Sequence, residues 1–140
     1  MHKPPIDAVI NENWQYFIED GFFIKTYHAQ INKEDVLESW NAMVALNEEI
    51  ERHTKGIIVN FGTSSFNFNI IETEDLIEYF RLIKPKFEMP IVVVAQQPHH
   101  VVFATLVQLG INLYEGLTEM FVFTSLDNAK AFIKSNKRNY

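Results

Sequence analysis

Ile57-Ile58-Val59-Asn60-Phe61 and Ile91-Val92-Val93-Val94-Ala95 decide the fold. Both runs are short, β-branched and apolar at consecutive positions, so neither face alternates to polar. That is the pattern of a strand covered by helices above and below, whereas a sheet with one wet face would alternate. Pro90 introduces the second run, and Met120-Phe121-Val122-Phe123 reads as a further strand.

Working outward from these strands, the pattern turns helical. Asn32 is placed to cap a helix with Glu34 and Asp35 in its first turn, and Val36, Trp40, Met43, Val44 and Ile50 recur at helical spacing as far as Lys55-Gly56. Thr73 is read as the cap of a second helix, with Leu76, Ile77, Phe80 and Ile83 as its apolar stripe and Lys84-Pro85 as its stop. Pro98 opens a third, unusually apolar helix, with Val102, Phe103, Leu106 and Leu109 expected inward and Gly110 as its end. Ser125 caps a last helix carrying Ala129, Phe132 and Ile133. At the other end of the chain, Trp14 to Glu19 and Phe22 to His28 are two strand-like runs joined by Asp20-Gly21, a pair suited to a tight hairpin turn.

The order β-β-α-β-α-β-α-β-α predicts an α/β fold with a mixed, mostly parallel five-stranded sheet and helices on both faces. Residues 1–13 are expected to be an irregular lead-in, 14–134 a single domain and 135–140 a C-terminal tail. A chain of 140 residues, 47% hydrophobic, suits one continuous core.

Composition excludes several functions. With no cysteine there is no disulfide, thiolate metal site or cysteine nucleophile. The start, Met1-His2-Lys3-Pro4-Pro5, does not resemble a secretory signal, and no apolar run is long enough to span a bilayer, so a cytoplasmic address with no transmembrane segment is expected. Net charge is −6, and the basic residues are scattered apart from Lys134, Lys137 and Arg138, which argues against nucleic acid as a partner. No phosphate-cradling glycine loop, dinucleotide fingerprint or zinc-protease helix is present, so no cofactor and no metal are expected.

The order from about Trp14 to Lys134 resembles the STAS-type domain of bacterial anti-sigma-factor antagonists, and more closely the small stand-alone STAS/Sec14-like proteins. The closing segment Phe121-Val122-Phe123-Thr124-Ser125-Leu126-Asp127-Asn128-Ala129-Lys130-Ala131-Phe132-Ile133 is similar to that group's last strand and helix. The resemblance implies a regulatory domain that binds a protein partner. In the antagonists, the strand matching residues 57–61 usually ends in Asp, and a Ser opening the next helix is phosphorylated. Here Asn60 stands at the strand end and Phe68-Asn69-Ile70-Ile71-Glu72 occupies the switch position. Ser64 and Ser65 lie several residues earlier, so the phosphoswitch serine is not in place.

Ligands of an open parallel sheet bind beyond the carboxyl ends of its strands. That rule selects loops bearing Asn60, Thr63, Ser64, Ser65, Asn67 and Asn69, then Gln96 and Gln97, then Thr124 and Ser125, together with His99 and His100 at a helix N-terminus, where backbone N–H groups can receive an anion. Turn-forming and capping roles explain the same residues without a ligand. Phe66 and Phe68 alternate with asparagines, so their rings either cover the core or mark a partner surface. Glu72, Glu74 and Asp75 are read as helix-dipole partners and not as an acid/base pair, so no catalytic residue is assigned. The leading expectation is a non-enzymatic protein-interaction or regulatory module. A carrier of a small apolar or amphipathic ligand is the alternative, and an enzyme using His99 or His100 comes third. The surplus apolar surface of the third helix needs cover, by ordinary packing, by a second copy in a homodimer or by a ligand.

Overall fold

The computed structural model describes residues 8–9, 13–67, 69–83, 89–112 and 120–135. The lead-in residues 1–7 and 10–12, Phe68, the Lys84-Pro85 stop, and Lys137 and Arg138 lie outside them.

Strands β2 (Trp14–Glu19) and β3 (Phe22–Tyr27) form the expected hairpin, in which Asp20 (φ 55°) and Gly21 (φ 81°) supply both positive angles of the turn. From β3 the sheet grows in parallel through β5 (Gly56–Asn60), β7 (Ile91–Val94) and β8 (Met120–Phe123). On the far side of the hairpin, Ala8–Val9 pairs antiparallel with β2 as a two-residue strand, β1. Among the described residues the main sheet is therefore six-stranded, β1-β2-β3-β5-β7-β8, five full strands and a short edge. A second, two-stranded sheet that the sequence pattern did not announce joins β4 (Gln30–Ile31) to β6 (Ser65–Phe66). Strands this short carry no readable period.

The four helices between the strands pack on one face of the sheet. They are α1 (Lys33–Ala45), α2 (Asn47–His53), α3 (Ile70–Ile83) and α4 (Pro98–Asn112). Their Val36, Trp40, Met43, Ile50, Leu76, Phe103 and Val107 join Trp14, Phe23, Tyr27, Ile57, Val59, Ile91 and Val93 in the larger core. The other face is covered by α5 (Leu126–Ser135), whose Ala129 and Ile133 pack on Phe22, Ile24, Ile58, Val92 and Val94. Burial of alternate residues of β5 and β7 on opposite faces explains why those strands read as continuous apolar runs.

Three readings of the helices need correction. What was read as one helix to Lys55 is two, broken at Leu46, whose N–H bonds to Met43 O at 3.0 Å in a tightened turn. The second helix starts earlier, because Asn69 and not Thr73 caps it: Asn69 Oδ1 accepts from Glu72 N at 3.0 Å, and Glu72 Oε1 accepts from Asn69 N at 3.3 Å. Thr73 lies in the helix, where its hydroxyl donates to Asn69 O. The third helix passes through Gly110 to Asn112, and its buried side holds His100, Phe103, Ala104 and Val107. Val102 and Leu109, expected inward, are 59% and 60% exposed. Pro98 does open this helix, and Asn32 and Ser125 cap theirs. No helix among the described residues is long and apolar enough to cross a membrane.

Candidate functional site

Beyond the carboxyl ends of β5 and β7, the chain turns twice. Asn60 Oδ1 accepts from Gly62 N at 2.9 Å, and Gly62 takes a φ of 55°, so the strand is bent back within two residues. Ser64 N–H and hydroxyl both bond to Phe61 O, at 3.1 and 2.7 Å. Ser65 N then donates to Ala29 O at 2.8 Å, which lays β6 beside β4 and projects Phe66 toward α4.

Helix α4 supplies the opposite wall. Gln97 O accepts from Val101 N at 3.0 Å and so starts the helix. The buried His100 ring donates from Nε2 to Ser64 O at 2.7 Å, pinning the turn to the helix. Its Nδ1 is buried and has no hydrogen-bond partner among the described residues. Burial holds the His100 pKa below the usual histidine value. The bond to Ser64 pulls it upward, and the neighbouring His99 adds a smaller downward push. Phe66 packs edge-on against Phe61 and Phe103, at ring distances of 5.0 and 4.9 Å, and lies 4.8 Å from His100. His99 meets the Phe66 ring edge-on at 5.5 Å.

These contacts leave a cleft of about 330 Å³ between the N-terminal halves of α3 and α4, lined by Ser65, Phe66, Asn69, Thr73, His99, Val102, Phe103 and Leu106. Its floor is apolar and its rim carries hydroxyl, amide and imidazole groups, with no carboxylate, ammonium or guanidinium in the lining. Such a site can hold an apolar group and orient it by neutral hydrogen bonds, and it contains no paired acid and base for proton transfer.

Of the residues singled out from sequence, Ser65, Phe66 and His99 line the cleft, and Ser64 and His100 fasten its walls from below. Asn60 and Gln97 shape the turn and the helix start without lining it. Asn69, in the same strand-end loop, and Val102, Phe103 and Leu106, on the third helix whose apolar surface needs cover, also line the cleft. Thr73, expected only as a helix cap, is the lining residue that the sequence did not point to. Which side of α4 faces out was not readable in a helix apolar all round.

A second polar group lies away from the cleft. Lys25 is fully buried in the larger core, with Nζ donating to Ser39 Oγ at 3.1 Å and lying 4.4 Å above the Trp40 ring. Tyr27 OH is 2.7 Å from the same Ser39 oxygen, and Ser39 donates to Val36 O. Desolvation drives the Lys25 pKa well below the ordinary lysine value and the Tyr27 pKa upward. A nearby apolar void of about 20 Å³, lined by Tyr27, Trp40, Val59 and Phe61, holds no more than about one water. Of these two spaces, the cleft is the one with room for a ligand.

In comparison with known proteins, the chain matches no family model, no curated protein and no solved structure.

Proposed function

We propose that this protein is a non-enzymatic interaction module that recognises a partner polypeptide through the α3–α4 cleft. The observation that carries the reading is the continuity of the uncharged cleft with the exposed Val102 and Leu109 on α4. These are the exposed large hydrophobic side chains among the described residues. Apolar surface concentrated beside a preformed pocket is the usual mark of a binding face. The likeness to STAS-type regulatory domains is supported by the hairpin followed by three parallel strands and by the terminal helix set alone on the second face. The cytoplasmic address belongs to the same proposal. Ser64 is fully buried, so a phosphoswitch at that position finds no support in the fold.

A second reading, a carrier of a small amphipathic molecule, is favoured by the volume of the cleft, which lies in the range of small-ligand pockets. Affinity capture from source-cell extract separates the two when wild type is compared with the Phe66→Asp/Val102→Asp double variant. The proposal expects a polypeptide retained by wild type at stoichiometric amounts and lost with the variant. Retention of the same proteins by both chains, or a co-purifying small molecule in place of a polypeptide, contradicts it.

A further inference from the structure

Helix α4 carries two distinct faces. His100, Phe103, Ala104 and Val107 point into the core, while His99, Val102, Leu106 and Leu109 follow one another at spacings of three, four and three residues. That spacing places the four on one line along the outer side of the helix, the seam by which one helix packs against another. The upper part of this line borders the cleft, where His99, Val102 and Leu106 face Asn69 and Thr73 of the α3 wall. The groove is therefore bounded by two helices of different charge. Pro98–Asn112 contains no Asp, Glu, Lys or Arg, whereas Ile70–Ile83 carries Glu72, Glu74, Asp75 and Glu78 against Arg81 alone. Asp75 meets Lys33 of α1 at 3.6 Å, so the exposed Glu74 and Glu78, outside the uncharged lining of the cleft itself, are the carboxylates of α3 that count here.

We infer that the α3–α4 groove receives an amphipathic helix of a partner protein, apolar toward α4 and basic along the edge that meets α3. This rests on the interaction-module reading above and names the partner's chemistry. An occupant helix lying over His99, Val102, Leu106 and Leu109 needs about three turns, because His99 to Leu109 rises about 15 Å along α4. One of its apolar side chains enters the cleft as an anchor, and Lys or Arg beside that stripe meets the exposed carboxylates of Glu74 and Glu78 on α3. The charge distribution disfavours a second copy of this chain as the occupant. An antiparallel, two-fold pairing of α4 with α4 sets the two acidic α3 helices face to face, and each chain carries a net charge of −6.

The test uses the full chain and two synthetic helical peptides of about 20 residues, long enough to hold helical structure. Both carry Leu at the a and d positions, and the flanking positions are Lys in one and Glu in the other. Isotope-labelled protein is titrated with each and the shifts are mapped. The expected result is binding of the Lys-edged peptide with shifts concentrated at His99, Val102, Leu106 and Leu109. That affinity falls at least about tenfold in Val102→Asp, a loss of about 1.4 kcal/mol. Glu74→Lys should weaken the Lys-edged peptide and strengthen the Glu-edged one. Equal affinity for both peptides, shifts centred on α5, or self-association of the chain that Val102→Asp abolishes would each overturn the inference. Should capture find a cleft-dependent polypeptide while the Lys-edged peptide fails to bind, the inference falls and the interaction-module reading stands. If capture finds none, that reading fails independently of the peptides.

Discussion

The Nε2 of His100 and the carbonyl oxygen of Ser64 are 2.7 Å apart and buried, joining helix α4 to the turn after β5 across 36 residues of sequence. This one bond fixes the turn after β5, which carries Ser65 and Phe66 of the cleft lining, to the start of α4. Its loss leaves a buried carbonyl without its donor.

Replacing His100 with Phe keeps a ring of similar size and removes the bond. The expected cost is about 1–3 kcal/mol of stability at neutral pH, read from urea unfolding. The wild-type ring also resists protonation, because its folded pKa lies below the unfolded value of 6.5. Its contribution is complete above about 6.5, falls as pH drops through the window beneath that value, and is constant once pH is below the folded pKa. The difference between wild type and His100→Phe should therefore shrink on acidification from about pH 7 to about pH 5. A difference that stays level or grows contradicts the assignment.

Lys25→Met retains an unbranched stem and discards an amine that burial disfavours as a cation. The variant is expected to be more stable than wild type by about 2 kcal/mol at neutral pH. The sign of the pH effect is fixed by the lowered folded pKa. Below it the penalty is constant, between it and the unfolded value near 10.5 wild-type stability rises with pH, and above that value the penalty is gone. Unfolding curves of the two proteins should converge toward alkaline pH. Lower stability of Lys25→Met at every pH would show that the contacts of Lys25 with Trp40 and Ser39 outweigh its desolvation.

Gly56 begins β5 directly beneath α5, where an added Cβ would lie 2.6 Å from Ile133 Cγ2 and 2.7 Å from Cδ1. Gly56→Ala should cost about 1–3 kcal/mol by forcing α5 away from the sheet. In a double-mutant cycle, Ile133→Ala should be less damaging in the Gly56→Ala background than alone. Strict additivity would mean that the two positions do not meet.

The two capping readings of α3 make opposite predictions. Asn69→Ala breaks a reciprocal box and is expected to cost about 1 kcal/mol, while Thr73→Ala, inside the helix, should cost clearly less. Thermal unfolding of both variants decides between them, and the reverse order would restore Thr73 as the cap.

Particular residues show how far the sequence could be read. Ile57 to Phe61 and Ile91 to Ala95 disclosed a doubly covered sheet because burial on both faces removes polar alternation. Asp20-Gly21, Asn32, Pro98 and Ser125 placed element ends because each meets a local backbone requirement. At α3, two capping sequences overlap, and Asn69 prevails through its partner Glu72. The outward face of α4 was hidden because Val102, Phe103, Leu106, Val107 and Leu109 leave no polar side from which to infer the inward one. Lys25 gave no signal, since a lone lysine in a strand usually points to water and its burial depends on Ser39 and Trp40, brought in by α1. The cleft was legible only in part: the strand-end rule selected Ser65, Phe66 and His99, but the α3 wall depends on how two helices sit together.

Photo-cross-linking in source-cell extract tests most directly whether the cleft is the recognition surface. A benzophenone amino acid is placed at Val102 in one protein and at the exposed Ala131 of α5 in another. A defined adduct with another polypeptide is expected from position 102 and none from position 131. Adducts from 131 with none from 102, or cross-links from 102 only to a second copy of the same chain, would contradict it.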